Sequence, residues 1–207
     1  MGRLPLAGSL LCIAMAVSGC AVGLRPELID EVAVDDLGIE AVLDAFSTTS
    51  ETPFTANYEI HVNYGNTTTT ATVSQRGAEH SVTIGTVRYL VEVGLSRTCD
   101  LTSATCTNGL DDTKVSDIQL THQFWSRATA QRLRIDATRN IAPAESYEAV
   151  FAGQVATCAS VPVVGGSKVY CSLANGVLAY YGGPDTTIQL TGYTETADDQ
   201  LFAVGGT

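Results

Sequence analysis

Three histidines, paired carboxylates and six cysteines are the residues of this 207-residue chain whose chemistry could go beyond packing. His61 falls on the polar side of an alternating stretch, His80 sits at the edge of a turn, and His122 adjoins Phe124 and Trp125. Each reads as a surface or internally satisfied residue, because none belongs to a string that sets up a base or a metal ligand. H-E-x-x-H, G-x-S-x-G, S-x-x-K, the P-loop and G-x-G-x-x-G are all missing. Asp111-Asp112 and Asp198-Asp199 lie in polar stretches, without the apolar surroundings that raise one carboxyl's pKa for acid–base work. They suit solubility, with weak Ca²⁺ binding as the alternative. Gly165-Gly166-Ser167 is a turn, since no strand-to-helix change surrounds it. No catalytic centre, cofactor or metal is expected.

The cysteines divide by position: Cys12 and Cys20 near the start, then Cys99, Cys106, Cys158 and Cys171. Arg3, an apolar run from Leu4 to Val17 and the small residues Ser18 and Gly19 have the order of a secretory signal peptide. The run falls short of the roughly 20 apolar residues that span a bilayer. Val17-Ser18-Gly19-Cys20 resembles the bacterial lipobox, whose cysteine becomes the first mature residue and carries diacylglycerol on its sulfur. The resemblance implies loss of residues 1–19 and a lipidated tether over residues 20–26. The membrane is then a partner through Cys20, on the outer face of the cytoplasmic membrane or on the periplasmic side. Two acyl chains give the stable anchoring that one does not. In an oxidising compartment the other four cysteines read as disulfides. Of three possible pairings, Cys99–Cys106 with Cys158–Cys171 is favoured, since each pair flanks a polar, turn-like stretch. A four-thiolate zinc site is the alternative, although neither spacing is the short C-x₂₋₄-C of zinc ligands.

Eleven Lys and Arg against 22 Asp and Glu give a net charge of −11. That argues against a nucleic-acid partner, because phosphate binding needs clustered cations. Hydrophobic residues are 45% of the chain and charged ones 16%, enough to build a core in a single domain over residues 27–207.

The elements that must position these residues follow from periodicity. Leu28, Ile29, Val32, Leu37, Ile39, Val42, Leu43 and Phe46 recur at helical spacing after Pro26, predicting a helix over 27–46 that Gly38 bends or splits. The period then becomes two. Tyr58, Ile60, Val62 and Tyr64 alternate with polar residues, and Thr67 to Ser74 returns after the turn Gly65-Asn66. His80 to Ile84 and Thr86 to Val93 form a second pair. Cys99 to Asp112 is expected to be an irregular, stapled loop. Thr113 to Asn140, free of Pro and Gly, is expected to be helical, with Leu120, Phe124 and Ala128 on one face. Strands follow over Ser146 to Cys158, Lys168 to Ala174, Val177 to Tyr181 and Thr186 to Thr194. Asn175-Gly176 between two apolar runs is a strong hairpin signal, and Asp198 to Phe202 closes the chain as a short turn. Helix, about four strands, helix, about four strands implies the α+β class, built on antiparallel meanders.

This order behind a lipobox is similar to the LolA/LppX-type lipoprotein-carrier superfamily. The resemblance implies a curved antiparallel half-barrel with an N-terminal helix and an inserted helix on its concave face. It also implies a cavity between sheet and helix for a lipid, glycolipid or acyl chain. Tyr58, Ile60, Val62, Tyr89, Phe124, Trp125 and Phe151 fall at in-facing positions and would line it; packed core is the other reading of the same residues. Arg127, Arg132, Arg134 and Arg139 read as a solvated helix face or as a collar for an anionic headgroup. The alternative function is a non-catalytic structural, sensory or protein-interaction lipoprotein with a filled core.

Lipidation is expected at Cys20. In a bacterium fed radiolabelled palmitate the wild type takes up label and Cys20→Ala does not; label retained by the variant rules the anchor out.

Overall fold

The computed structural model describes residues 34–48, 52–118 and 120–203. The expected signal peptide over residues 1–19, Cys20 with the expected tether, and residues 27–33 of the expected first helix lie outside the described residues. Helix α1 spans Leu37–Ser47. Its start is set by Asp36, whose Oδ1 accepts hydrogen bonds from the backbone N–H groups of Gly38 at 3.0 Å and Ile39 at 3.4 Å, as an N-cap does. Residues 34–36 are therefore non-helical, and Gly38 lies in the first turn instead of bending a longer helix. Ile39, Val42, Leu43 and Phe46 form the buried stripe.

Strands β1 (Phe54–Val62), β2 (Thr67–Arg76), β3 (Glu79–Ile84), β4 (Val87–Glu92), β5 (Leu95–Asp100) and β6 (Thr105–Asn108) form one meander. Helix α2 (Arg127–Ala137) precedes the second, made of β7 (Glu145–Phe151), β8 (Gln154–Val163), β9 (Gly166–Leu173), β10 (Leu178–Gly182) and β11 (Thr186–Thr194). All eleven strands belong to one antiparallel sheet in the order β6-β5-β4-β3-β2-β1-β11-β10-β9-β8-β7. The sheet is curved and not closed into a barrel, the α+β class expected. The meanders meet at β1 and β11, paired from Thr55↔Thr194 to Val62↔Thr186.

Directly opposed residues share a face. Ile60, Ile188, Tyr181, Tyr170 and Ala159 follow one another across five strands, so one face holds all of them. The helices cover this face, and the core lies between, with Ile39, Phe46 and Leu133 against Phe54, Tyr58 and Ile188. On the opposite face the C-terminal turn Asp199–Phe202 covers part of the first meander. There the Ser81 hydroxyl donates to the Leu201 carbonyl at 2.7 Å, Asp198 N–H donates to Ser74 Oγ at 2.9 Å, and the Arg76 guanidinium lies 4.1 Å from the Phe202 ring centre.

Several expectations change. Cys99 to Asp112 is not irregular throughout: β5 and β6 pair from Arg97↔Asn108 to Asp100↔Thr105, and the Cys99–Cys106 disulfide joins direct cross-strand partners. Cys158 and Cys171 are likewise opposed on β8 and β9, bonded and fully buried. The single strand expected over 146–158 is two, broken at Ala152-Gly153, whose φ values of 49° and 77° suit a two-residue hairpin turn. Pro162 is tolerated inside β8 because β7 pairs only as far as Glu145↔Ser160, so no ladder on that side lacks its N–H. The helix expected over 113–140 survives only as α2. Asp112–Ile118 is a 3₁₀ segment kinked at Val115. Residues 122–126 then commit backbone groups to tertiary partners: His122 N–H donates to Asp112 Oδ1 at 2.7 Å, and the Trp125 carbonyl accepts from Leu178 N–H at 2.8 Å. Local propensity is a weak preference, and these bonds override it.

Because every neighbour is antiparallel, the turns alternate between two ends of the sheet. Turns at 63–66, 85–86, 101–104, 164–165 and 183–185 lie along a first rim; those at 77–78, 93–94, 152–153 and 174–177 lie along a second. Helix α1 starts at the first rim, where Asp36 Oδ2 accepts from Ala144 N–H at 2.8 Å ahead of β7. It ends at the second, beside Gly176. Helix α2 runs the other way, from Trp125 bonded to β10 up to Asp136 bonded to β9.

Gly176 has φ +81°, and a Cβ there would sit 2.8 Å from the carbonyl oxygens of Ala45 and Thr48. Gly77 has φ +60° and open space around it. By urea unfolding, Gly77→Ala is expected to lose about 1 kcal/mol from backbone conformation alone, and Gly176→Ala clearly more, about 3 kcal/mol, because the clash is with backbone. Equal losses would show that α1 does not press on this turn.

Candidate functional site

Of the seven residues expected to line an interior cavity, six share the helix-covered side. Tyr58, Ile60 and Val62 on β1 and Tyr89 on β4 are buried there. Phe124 meets Tyr58 edge-on, with ring centres 5.1 Å apart, and Trp125 meets Phe54 at 5.5 Å. Phe151 is elsewhere. The register Tyr147↔Cys158↔Cys171↔Tyr180↔Gln189↔Glu59 carries β7's Tyr147 and, two positions at a time, Phe151 to the opposite face. There it stacks on Tyr180 at 5.4 Å. Alternation correctly makes Phe151 an apolar strand position, but no sequence signal says which face of a ten-residue-distant hairpin it joins. Among the described residues, Tyr58 Oη and Trp125 Nε1 are buried without a hydrogen-bond partner. Burial, then the nearby Tyr193, pushes the Tyr58 hydroxyl well above the usual phenol range.

The segment before α2 is fastened across β3–β5. Asp111 N–H donates to Thr98 Oγ1 at 2.9 Å, and the Tyr89 hydroxyl donates to the Asp111 carbonyl at 3.1 Å. Asp112 carboxylate oxygens lie 3.0 and 3.1 Å from His122 Nδ1. His80, beside Trp125, has its pKa lowered to about 4, chiefly by burial and secondarily by the facing His122. His61 is apart from both: its Nδ1 lies 3.1 Å from Thr68 Oγ1 on the neighbouring strand. Among the described residues no three His, Cys, Asp or Glu side chains converge as a metal site.

Open volume lies at the first rim. A cavity of about 660 Å³ is lined by Asp136 and Arg139 at the end of α2, by residues 163–168 of the β8–β9 turn, and by Gly183 and Pro184. Asp136 is buried, and its carboxylate accepts from Lys168 Nζ at 2.7 and 2.9 Å and from the Tyr170 hydroxyl. Burial, then that carboxylate, raises the Tyr170 pKa. A second cavity of about 800 Å³, lined by residues 34–38 and by 137, 138 and 140–144, adjoins the same end of α2. Neither is lined by any of the seven expected residues. Of the four arginines, Arg139 lines the smaller cavity, whereas the Arg132 guanidinium lies 4.9 Å from the Tyr181 ring centre. The other polar lining, Asp136 and Lys168, is 32 residues apart in sequence and carries no motif.

No protein-family model matches the chain, and no curated protein sequence is similar to it. Solved structures align with part of it. MucB alone aligns with TM-score 0.46 and 13% identity over 80% of this chain and 62% of that one. MucB in complex with MucA(peri) gives TM-score 0.45 and 12% identity, over 80% and 58%. LprF from Mycobacterium bovis gives TM-score 0.36 and 10% identity, over 74% and 93%. The chain thus spans about three fifths of the length of the MucB chains.

Removing one partner from a buried ion pair leaves the other charge uncompensated, at about 3–5 kcal/mol. Lys168→Ala, which strands the Asp136 carboxylate, is expected to lose stability on that scale in urea. Asp136→Leu combined with Lys168→Met should recover most of it. A double variant as unstable as the sum of its single changes would show that the pair is not coupled.

Proposed function

We propose that this chain is a lipoprotein held outside the cytoplasm through acylated Cys20, and that it binds an amphiphile, a lipid or acyl chain, between the sheet and α2 at the first rim. The supporting observation is the 660 Å³ cavity. Its size falls within the range of about 300–1,000 Å³ common for small-molecule sites. Val163, Val164 and Pro184 supply apolar wall, and Arg139 supplies a cation where a polar headgroup would emerge. Lys168 is already engaged with Asp136, so Arg139 is the group left to meet an anion. We read the site as one for binding: its carboxylate, Asp136, is taken up by Lys168 and Tyr170.

The ligand reading moves from the interior to the rim because Tyr58, Phe124, Trp125 and Phe54 contact one another. That contact also favours the second reading, an interaction lipoprotein with a filled core. The two separate by extraction and mass spectrometry of Cys20→Ala protein purified from the envelope. An amphiphile is expected from it, and less from Val164→Asp or Arg139→Glu, both of which change exposed side chains and leave the core intact. Recovery unchanged in both variants, or nothing recovered from any protein, overturns the rim site.

A further inference from the structure

We propose that the first rim is the end of the molecule that rests on the bilayer, so that the cavity opens toward lipid. This rests on the reading of Cys20 as the anchor. Three separate features meet at that rim. Val34, the first described residue, leads directly into the Asp36 cap, which is bonded to Ala144 ahead of β7. The fourteen residue-to-residue steps from Cys20 to Val34 span at most about 50 Å even fully extended, which bounds how far this end can stand from the membrane.

The second feature is exposed apolar surface at the turn tips. Tyr64 is 90% exposed in the β1–β2 turn, Val164 is 87% exposed in the β8–β9 turn, and Ile141 is 65% exposed in the link to β7. Ile141 N–H donates to the Pro162 carbonyl at 3.0 Å, which fixes it beside the end of β8. A tyrosine with its ring in solvent is suited to the boundary between headgroups and acyl chains, where one end is apolar and the other wet.

The third feature is that these tips adjoin the cavities: Val164 lines the smaller one, Ile141 lines the larger one, and the Tyr64 turn is tied to the smaller one's wall. Asn63, next to Tyr64, donates from Nδ2 to the Pro184 carbonyl at 2.6 Å and from its backbone N–H to the Asp185 carbonyl at 2.8 Å. Pro184 and Val164 both line the cavity. The platform is therefore built before any membrane is met, and a lipid leaving the bilayer between Tyr64 and Val164 enters the cavity without crossing water. The second rim also exposes apolar side chains, Val93 at 84% and Val150 at 66%. It lies a full strand length away, and α1 ends there instead of starting there.

The test compares the two rims in the full chain. Cys20→Ala protein carrying hexahistidine in place of residues 1–19 is captured on phosphatidylcholine vesicles that contain a nickel-chelating lipid and brominated phosphatidylcholine. Tryptophan is placed at one position at a time, with the partly buried Trp125, which packs on Phe54, as constant background. Emission from Tyr64→Trp and Val164→Trp is expected to shift to the blue and be quenched, while Val93→Trp stays unquenched. Quenching at Val93→Trp equal to that at Tyr64→Trp, or no quenching at either rim, overturns the proposal. Radiolabelled palmitate on the natural chain is read separately. Missing label there refutes the Cys20 anchor, while the vesicle result still reports which rim docks.

Discussion

Strands β1 and β11 come from opposite ends of the described chain, and their pairing turns two local meanders into one sheet. Every other pairing in the sheet is between strands adjacent in sequence and joined by a short turn. The β1–β11 contact closes a loop of more than a hundred residues, at an entropic cost of about 4 kcal/mol. Five side chains on the helix-covered face offset it: Tyr58, Ile60, Val62, Ile188 and Leu190 are all buried at the seam. The β1–β11 seam also places the β1–β2 and β10–β11 turns side by side, which is what lets Asn63 bind Pro184.

Two aspartates then fix the helices on that sheet, both toward the same rim. Asp36 uses one carboxylate oxygen to cap α1 and the other to hold the link before β7. Asp136, near the end of α2, is bonded to Lys168 and Tyr170 on β9. Because α1 and α2 run in opposite directions, one is pinned at its start and the other near its end. The helix α2 stops at Ala137, while the β8–β9 and β10–β11 turns continue past it. The space left between them is the cavity. Further inside, Tyr58 meets Phe124 and Phe54 meets Trp125, ring against ring.

A good part of this fold was legible in the residues. Two-residue alternation marked Tyr58, Ile60 and Val62 as inward, but it put Tyr64 with them, and β1 ends at Val62 and leaves Tyr64 exposed in the turn; the Asn175-Gly176 turn and the closing turn at 198–202 stand where expected. Local pairing of the four cysteines also holds, although the stretches they flank prove to be hairpins and not irregular loops. The rest was not legible for reasons that differ by place. Residues 122–126 have helix-compatible types, but their carbonyls and N–H groups are taken by residues far away in sequence.

What the sequence determined by itself was whatever acts within a few residues: the order of helix and strand, inward against outward along a strand, the turns, and the string Val17-Ser18-Gly19-Cys20. The tertiary structure alone decided what depends on many pairings in succession. Phe151 reaches the opposite face from Ile60 only because five consecutive strand registers hold, and a slip of one residue in any of them would reverse it. Lys168 meets Asp136 only because α2 crosses β9 at one height. Local propensity carries no information about either, since both are set by where distant segments pack.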